Sequence, residues 1–288
     1  MQPAQLASFA RVVAGIRERI PGLSFEILEI GAVPLGGAPE PFHRLLDDFP
    51  GSRIHAFELD PESCAQLQAS ARRGVEIHLA AIGARRETRT VHLTNHSMCT
   101  SLYRPDEGLM RQFHGLEVAY LRDTAQVETV SIDALAAEGR FGAIDFVKID
   151  IQGAELDAFR GAVASLASAV AIVSEVEFAP IYENQPLFAD VDRELRGQGF
   201  MLHKFVDIAG RALRPVVMNR DPYFASWHLW GDAMFVREIS RWSGLETPSL
   251  AKLAVLALLY GSPDIAFRCL QACDERLGSR LASAMTGR

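Results

Sequence analysis

The chain has 288 residues, 49% of them hydrophobic, and a formal net charge of -7. That length and apolar content suit one large or two small domains with a sizeable core, and they exclude a low-complexity or disordered chain. The acidic balance argues against general nucleic-acid binding, which needs basic surface to displace counterions.

Residues 4 to 20 space their apolar groups at helical intervals, and Pro21 and Gly22 end that helix. Arg11, Arg17 and Arg19 break any apolar run there, so the N-terminal region reads as neither a signal peptide nor a membrane span. "LSFEILEIGA" reads as a buried strand ending in an acid and a glycine, and "PEPFHRLLDDF" as a helix entered through proline. "SRIHAFELD" is a second strand that ends in acids. "PESCAQLQASARR" has helix-entry chemistry in Pro61 and Glu62, and "VEIHLAAIG" is a third strand. This alternation predicts a mostly parallel, doubly wound α/β sheet with right-handed crossovers.

The pattern then loosens. "TRTVHLT" suits a short strand, whereas residues 94 to 125 are polar and weakly periodic, as lids and binding loops often are. "VETVSIDALAAEG" reads as strand then helix, "GAIDFVKID" as a buried strand, and "AELDAFRGAVASLA" as its helix. "VAIVSEVEF" (strand), "LFADVDRELRGQG" (helix) and "FMLHKFVD" (strand) follow. "YFASWHLWGD" reads as a loop, and "DAMFVRE" as a late, antiparallel edge strand. After Thr247 the chain is helical around the break at Gly261 and Pro263. Leu250, Leu253, Leu256 and Leu259 form an apolar stripe suited to packing on the domain or to a contact between copies. The expected organisation is an N-terminal helix at 1–22, a main domain at 23–240 and a helical extension at 241–288. Cys64, Cys99, Cys269 and Cys273 are scattered with no CxxC pair, which favours reduced thiols in a cytoplasmic protein over a zinc or disulfide framework.

Ligands of open parallel sheets bind outside the carboxyl ends of the strands. Glu29, Glu58, Asp150 and Glu175 fall at or near such ends and point to one rim. Glu29 leads through Gly31 and Ala32 into a loop holding Pro34, Gly36 and Gly37. Glu58 ends the next strand, where a carboxylate accepts both ribose hydroxyls of an adenosine. By itself this leaves NAD and S-adenosylmethionine (SAM) both open, although the loop lacks a clean GxGxxG. Asp150 is the strand-end candidate for a base or electrostatic partner, against a bland role as helix cap. His96 is a second candidate base because its ordinary pKa lies near neutrality. His203, Trp227 and His228 are candidates for an acceptor pocket, with Trp227 and Trp230 alternatively plugging the core. Asp150 with Glu175 leaves a divalent metal open but lacks a clear third ligand.

"LEIGA", "IHAFELDP", "VSIDAL", "VKIDIQGAELDAFRGA" and "VSEVEF" together resemble the FkbM family of SAM-dependent methyltransferases over about residues 25 to 238, most specifically from Lys148 to Glu155. The resemblance implies a class I, Rossmann-like methyltransferase fold and O-methyl transfer from SAM to a hydroxyl of a small acceptor such as a sugar, glycoside or natural product. Carried over by position, Glu29, Gly31 and Ala32 would line SAM, Glu58 with Leu59 would hold its ribose, Ala80 and Ala81 would flank adenine, and Asp150 would sit near the methyl group. Ser101 and Leu102 match a Ser-Leu pair of the family. The sequence departs from the pattern at Gln152, where the family usually has Glu, at Leu59, where it usually has Pro, and in the bulky Val33-Pro34-Leu35 loop. Those departures keep a non-catalytic SAM- or partner-binding member open beside the enzyme, and the sheet alone keeps an NAD(P)-dependent oxidoreductase open.

Overall fold

The computed structural model describes residues 3–32, 40–221 and 223–286. The loop glycines Gly36 and Gly37, with Val33, Pro34 and Leu35, lie outside the described residues. Helix α1 (Pro3–Arg19) precedes β1 (Glu26–Ile30). A 3-10 turn (Pro41–Arg44) runs into α2 (Leu45–Asp48), then come β2 (Arg53–Glu58), α3 (Pro61–Ser70) and β3 (Val75–Leu79). Next are β4 (Ala81–Ile82), β5 (Glu87–Thr94), α4 (Glu107–Met110), β6 (Leu121–Val130) and α5 (Ile132–Ala137). The signature segment supplies β7 (Phe146–Ile149) and α6 (Glu155–Arg160), followed by β8 (Ala171–Glu177), α7 (Phe188–Gly197), β9 (Phe200–Arg211) and β10 (Trp227–Arg237). Helices α8 (Thr247–Leu259), α9 (Pro263–Leu277) and α10 (Leu281–Thr286) complete the described chain.

Seven strands form one sheet in the order β3-β2-β1-β7-β8-β10-β9. The first five are parallel, and β10 runs antiparallel to both β8 and β9. The order reverses between β1 and β7, so their carboxyl ends open a crevice at a topological switch point. A smaller sheet, β4-β6-β5, stands beside it.

Alternation within each strand sorts side chains between two helical layers. Ile27, Ile54, Phe146, Val173 and Met234 face α1, α8 and α9, where Phe9, Ile16, Leu250, Leu253 and Leu256 are buried. Leu28, Phe57, Val147, Ile172 and Phe235 face α5, α6 and α7 through Leu135, Phe159 and Leu195. A strand buried on both faces has no polar side to show, which is why β7 and β8 are predominantly apolar, with Lys148, Ser174, Glu175 and Glu177 as buried exceptions. The leucine stripe of α8 is therefore occupied within the chain: Leu250, Leu253 and Leu256 are fully buried against the sheet.

Three readings of the sequence need correction. β10 begins at Trp227, so Trp227, His228 and Trp230 are strand residues, and β10 is internal, with β9 at the edge. Third, residues 121 to 125 belong to β6, which pairs along its length with β5. All three concern strand pairings, which local composition does not encode.

Helix α8 is also pinned by charge. Lys252 Nζ donates to both carboxylate oxygens of Asp145, at 2.8 and 2.7 Å, and Asp145 Oδ2 also accepts from the Glu26 amide at 2.8 Å. Both side chains are largely buried. Removing one partner of a buried pair strands the other charge, at a cost of about 3–5 kcal/mol. Lys252→Met should lower the urea-unfolding free energy by about 3 kcal/mol. A loss below about 1 kcal/mol, the range of exposed surface pairs, would show that the pair does not fasten α8 to the sheet.

Candidate functional site

The site is built from three strand ends. After β1, Gly31 has φ +82°, and the amides of Gly31 and Ala32 both donate to the Phe57 carbonyl, at 3.0 and 3.2 Å. The Asp150 amide donates to the Ile30 carbonyl at 2.9 Å. A Cβ at Gly31 would overlap the Asp150 carbonyl oxygen and stand 2.8 Å from its carbon. Glycine is thus required here both by conformation and by the close approach of β1 to β7.

Glu58 closes β2. It is 8% exposed, and its Oε1 accepts from the Asp60 amide at 2.7 Å. Burial raises its pKa above the ordinary carboxylate value, against the help of backbone amides. Asp60 caps α3 by accepting from the Ser63 amide at 2.8 Å. Glu58 and Asp150 line the same hollow, of about 430 Å³, together with Gly31, Leu59, Asp60 and Met98. A second hollow of about 360 Å³ shares Gly31, Glu58 and Leu59 with the first and is otherwise apolar, with Ala80, Ala81, Ile82 and Leu102 among its walls. A third, of about 990 Å³, shares Met98, Asp150 and Gln152 with the first and runs on over Glu175, Tyr182, Arg211, Trp230 and Asp232. The hollows form one groove, with Asp150 at its junction.

Gln152 organises that junction. It has φ +55°, and its Nε2 donates to Asp150 Oδ1 at 2.8 Å and to Glu175 Oε2 at 2.6 Å. Its Oε1 lies 3.1 Å from the Tyr182 hydroxyl, and its carbonyl accepts from Ser101 Oγ at 2.6 Å. Glu155 is buried one turn on, with its Oε1 accepting from the Ile151 amide at 2.7 Å, so it shapes the turn rather than facing the groove. Burial pushes the Glu155 pKa up to about 7, and burial together with Asp150 pushes Glu175 well above the usual carboxylate range. Lys148 Nζ donates to Asp232 Oδ1 at 2.9 Å and lies 4.0 Å from Asp150 Oδ2. Burial works against its charge, but Asp150 and Asp232 outweigh it and raise its pKa.

Asp150, Glu155 and Glu175 bring carboxylate oxygens within 4.8 Å of one another, the spacing of a cation cage. The donor set does not suit one. The two amide hydrogens of Gln152 already stand between Asp150 and Glu175, and Glu155 is engaged by a backbone amide.

Other expected residues fall elsewhere. Glu29 Oε2 lies 3.0 Å from His43 Nε2, and Glu29 is not among the residues lining the groove. His96 is exposed and caps a 3-10 turn through its Nδ1, which accepts from the Met98 amide at 3.3 Å. It is not among the residues lining the groove, whereas Asp150 is. His203 bonds Ser262 Oγ at 2.7 Å against the helical layer. His228 is exposed, and Trp227 stands half exposed against the Phe113 ring. Trp230, read as a plug, lines the third hollow and stacks on Arg211 at 4.9 Å. Arg211, Tyr182 and Asp232 were not anticipated. The available signal was Asp232 at the start of "DAMFVRE", two residues after a tryptophan on a strand of period two.

The buried acids give stability a pH dependence of defined sign. A carboxyl whose folded pKa is raised stabilises the fold fully below its unfolded value, near 4.5, and that stability is lost as pH rises through the folded value. For Glu155 the loss falls between pH 4.5 and about 7, and for Glu175 it extends higher. The melting temperature should therefore fall between pH 6 and pH 8.5, and Glu175→Gln should flatten that fall. A melting temperature that rises over this interval would contradict the assignment.

A model of the methyltransferase FkbM domain matches residues 30–202. Among solved structures, the chain is similar to methyltransferase FkbM from Methylobacillus flagellatus KT, with 14% identity and a TM-score of 0.42 over 78% of this chain and 47% of that one. The chain thus spans about half the length of that protein. It is also similar to magnesium protoporphyrin IX methyltransferase from Synechocystis PCC 6803, with 10% identity and a TM-score of 0.37 over 83% of this chain and 85% of that one. No curated protein matches the chain. The matched family segment covers well over half of the 288 residues and holds Gly31, Glu58, Asp150 and Glu175, and the chain belongs to the family of FkbM-domain methyltransferases.

Proposed function

We propose that the chain transfers a methyl group from SAM to a hydroxyl of a small polyhydroxylated acceptor such as a sugar, glycoside or natural product. The observation that carries this reading is the single groove that joins an acid-lined hollow to a larger hollow through Asp150.

The residues suit SAM on three counts. The first hollow presents Glu58, Asp60 and Asp150 and no basic side chain among its described lining residues. Such a wall attracts a sulfonium and repels the pyrophosphate of a dinucleotide. Glu58 Oε1 accepts from the Asp60 amide, and its carboxylate lines the hollow where it can accept from ribose hydroxyls. The apolar second hollow, with Ala80, Ala81 and Leu102, suits the flat base. When bound, SAM supplies an electrophilic methyl group.

The remaining chemistry belongs to the protein. Methyl transfer is helped most by holding the acceptor oxygen in line at near-attack distance. Asp150 is placed to receive the proton that the hydroxyl gives up. Gln152 donates to Asp150 Oδ1, which fixes the carboxylate, and Oδ2 lies 4.0 Å from the Lys148 ammonium. Trp230 and Tyr182 offer faces and edges for a ring, and Arg211 and Asp232 offer hydrogen bonds to its hydroxyls. The hydrophobic cluster of Met110, Phe113, Leu116 and Ala119 packs beside this hollow, and Leu116 and Ala119 line it.

Two variants separate binding from chemistry. Glu58→Gln should weaken binding of S-adenosylhomocysteine by about 10- to 100-fold in calorimetry, the worth of hydrogen bonds to a charged group. Asp150→Asn should keep that affinity within about threefold and lower turnover of labelled SAM, over a panel of glycosides, by about 100-fold or more. Unchanged turnover in Asp150→Asn would remove it as the proton acceptor, and unchanged affinity in Glu58→Gln would place the ribose elsewhere.

A further inference from the structure

Away from the groove, at the β3 edge of the sheet, we propose that His55, His78 and Glu76 form a binding site for a zinc-type divalent ion. His55 on β2 and Glu76 on β3 are register partners, and His78 is two residues further along the same face of β3. His55 Nδ1 lies 3.3 Å from His78 Nε2 and 3.6 Å from Glu76 Oε2. All three ligand atoms fall within 4.8 Å of one another. A tetrahedral zinc ion with bonds of about 2.0–2.1 Å separates its ligand atoms by roughly 3.3–3.4 Å. The 3.3 Å between the two imidazole nitrogens matches that figure, and the 3.6 Å to Glu76 is slightly longer. As a direct N–H···N hydrogen bond, 3.3 Å is longer than the usual range of about 2.7–3.2 Å.

The decisive feature is behind the first histidine. His55 is fully buried, and its other nitrogen, Nε2, lies 2.9 Å from Glu26 Oε1. That oxygen also accepts from the Gly142 amide at 2.9 Å, so it acts as an acceptor and Nε2 carries the proton. Nδ1 is then left with a lone pair aimed at His78 and Glu76. A histidine that ligates a metal through one nitrogen characteristically donates the other to a carboxylate, which fixes its tautomer and orientation. Phe57 stacks on His78 with ring centroids 4.8 Å apart, and Phe141 lies tilted against His55 at 5.6 Å, so both imidazoles are packed by aromatic neighbours. Glu76 is half exposed, which gives an ion a route from solvent and leaves the fourth position to water. An ion there would clamp the edge strand β3 onto β2 just ahead of Ala80, a wall of the second hollow.

The test uses the full chain without an affinity tag, stripped by chelator and titrated with Co²⁺ by visible absorption and with Zn²⁺ by calorimetry. The expected result is one equivalent per chain, with the visible bands of four-coordinate Co²⁺ displaced by Zn²⁺ and a raised melting temperature. His78→Gln should weaken binding by about 100-fold or more, and Glu26→Gln, one shell out, by about 10- to 100-fold. Glu76→Gln, at a half-exposed side chain, reads the same site should His78→Gln fail to fold. Absence of binding at about 100 µM Zn²⁺, an affinity far below that of built zinc sites, would overturn the proposal. So would wild-type binding in both His78→Gln and Glu76→Gln.

Discussion

Two neighbouring strands can both deliver functional groups to one point only if their ends come closer than side chains normally allow. Here β1 and β7 do so at Gly31, whose missing Cβ leaves room for the Asp150 carbonyl. The same residue turns the chain with φ +82°, a conformation that costs other L-residues roughly 1–2 kcal/mol. Its amide and that of Ala32 then reach back to Phe57 on β2. Three strand ends are thereby locked together, and Glu58 and Asp150 are carried into one hollow.

That lock gathers more carboxyl groups than a buried rim tolerates unless each is handled. Glu58 is held by a backbone amide, Glu155 by another, and Glu175 by the amide of Gln152. Asp150 keeps one oxygen bonded to Gln152 and has the charged Lys148 nearby. Lys148 is in turn shared with Asp232 from the antiparallel strand β10. The first and third hollows are thus joined by one electrostatic network. The left-handed backbone at Gln152 marks where the chain accepts strain to place an amide between two acids. An amide at this position serves a purpose a carboxylate could not: it donates twice, where another acid would add charge.

Much of this was legible in the sequence for a physical reason. Strands buried on both faces stand out as apolar runs, and an acid at the end of such a run conflicts with packing, which is how Glu58, Asp150 and Glu175 drew notice. Ala80 and Ala81 followed from the family pattern, and both line the second hollow. What stayed hidden depends on partners far away in sequence. Glu29 lies one residue short of the end of β1, in register with Ala56 rather than Glu58, and its carboxylate is paired with His43. His96 has the right chemistry, but it turns back to cap its own backbone. Arg211, Trp230 and Asp232 reach the groove because β10 inserts between β8 and β9, a pairing that no local window encodes.

The most direct measurement is calorimetric binding of S-adenosylhomocysteine to Gly31→Ala, with circular dichroism confirming the fold. The close approach at Asp150 predicts a folded protein whose affinity drops by at least about tenfold, or 1.4 kcal/mol. Wild-type affinity in a folded Gly31→Ala protein would mean that the strand ends do not depend on this contact, and the account of the site built on it would be wrong.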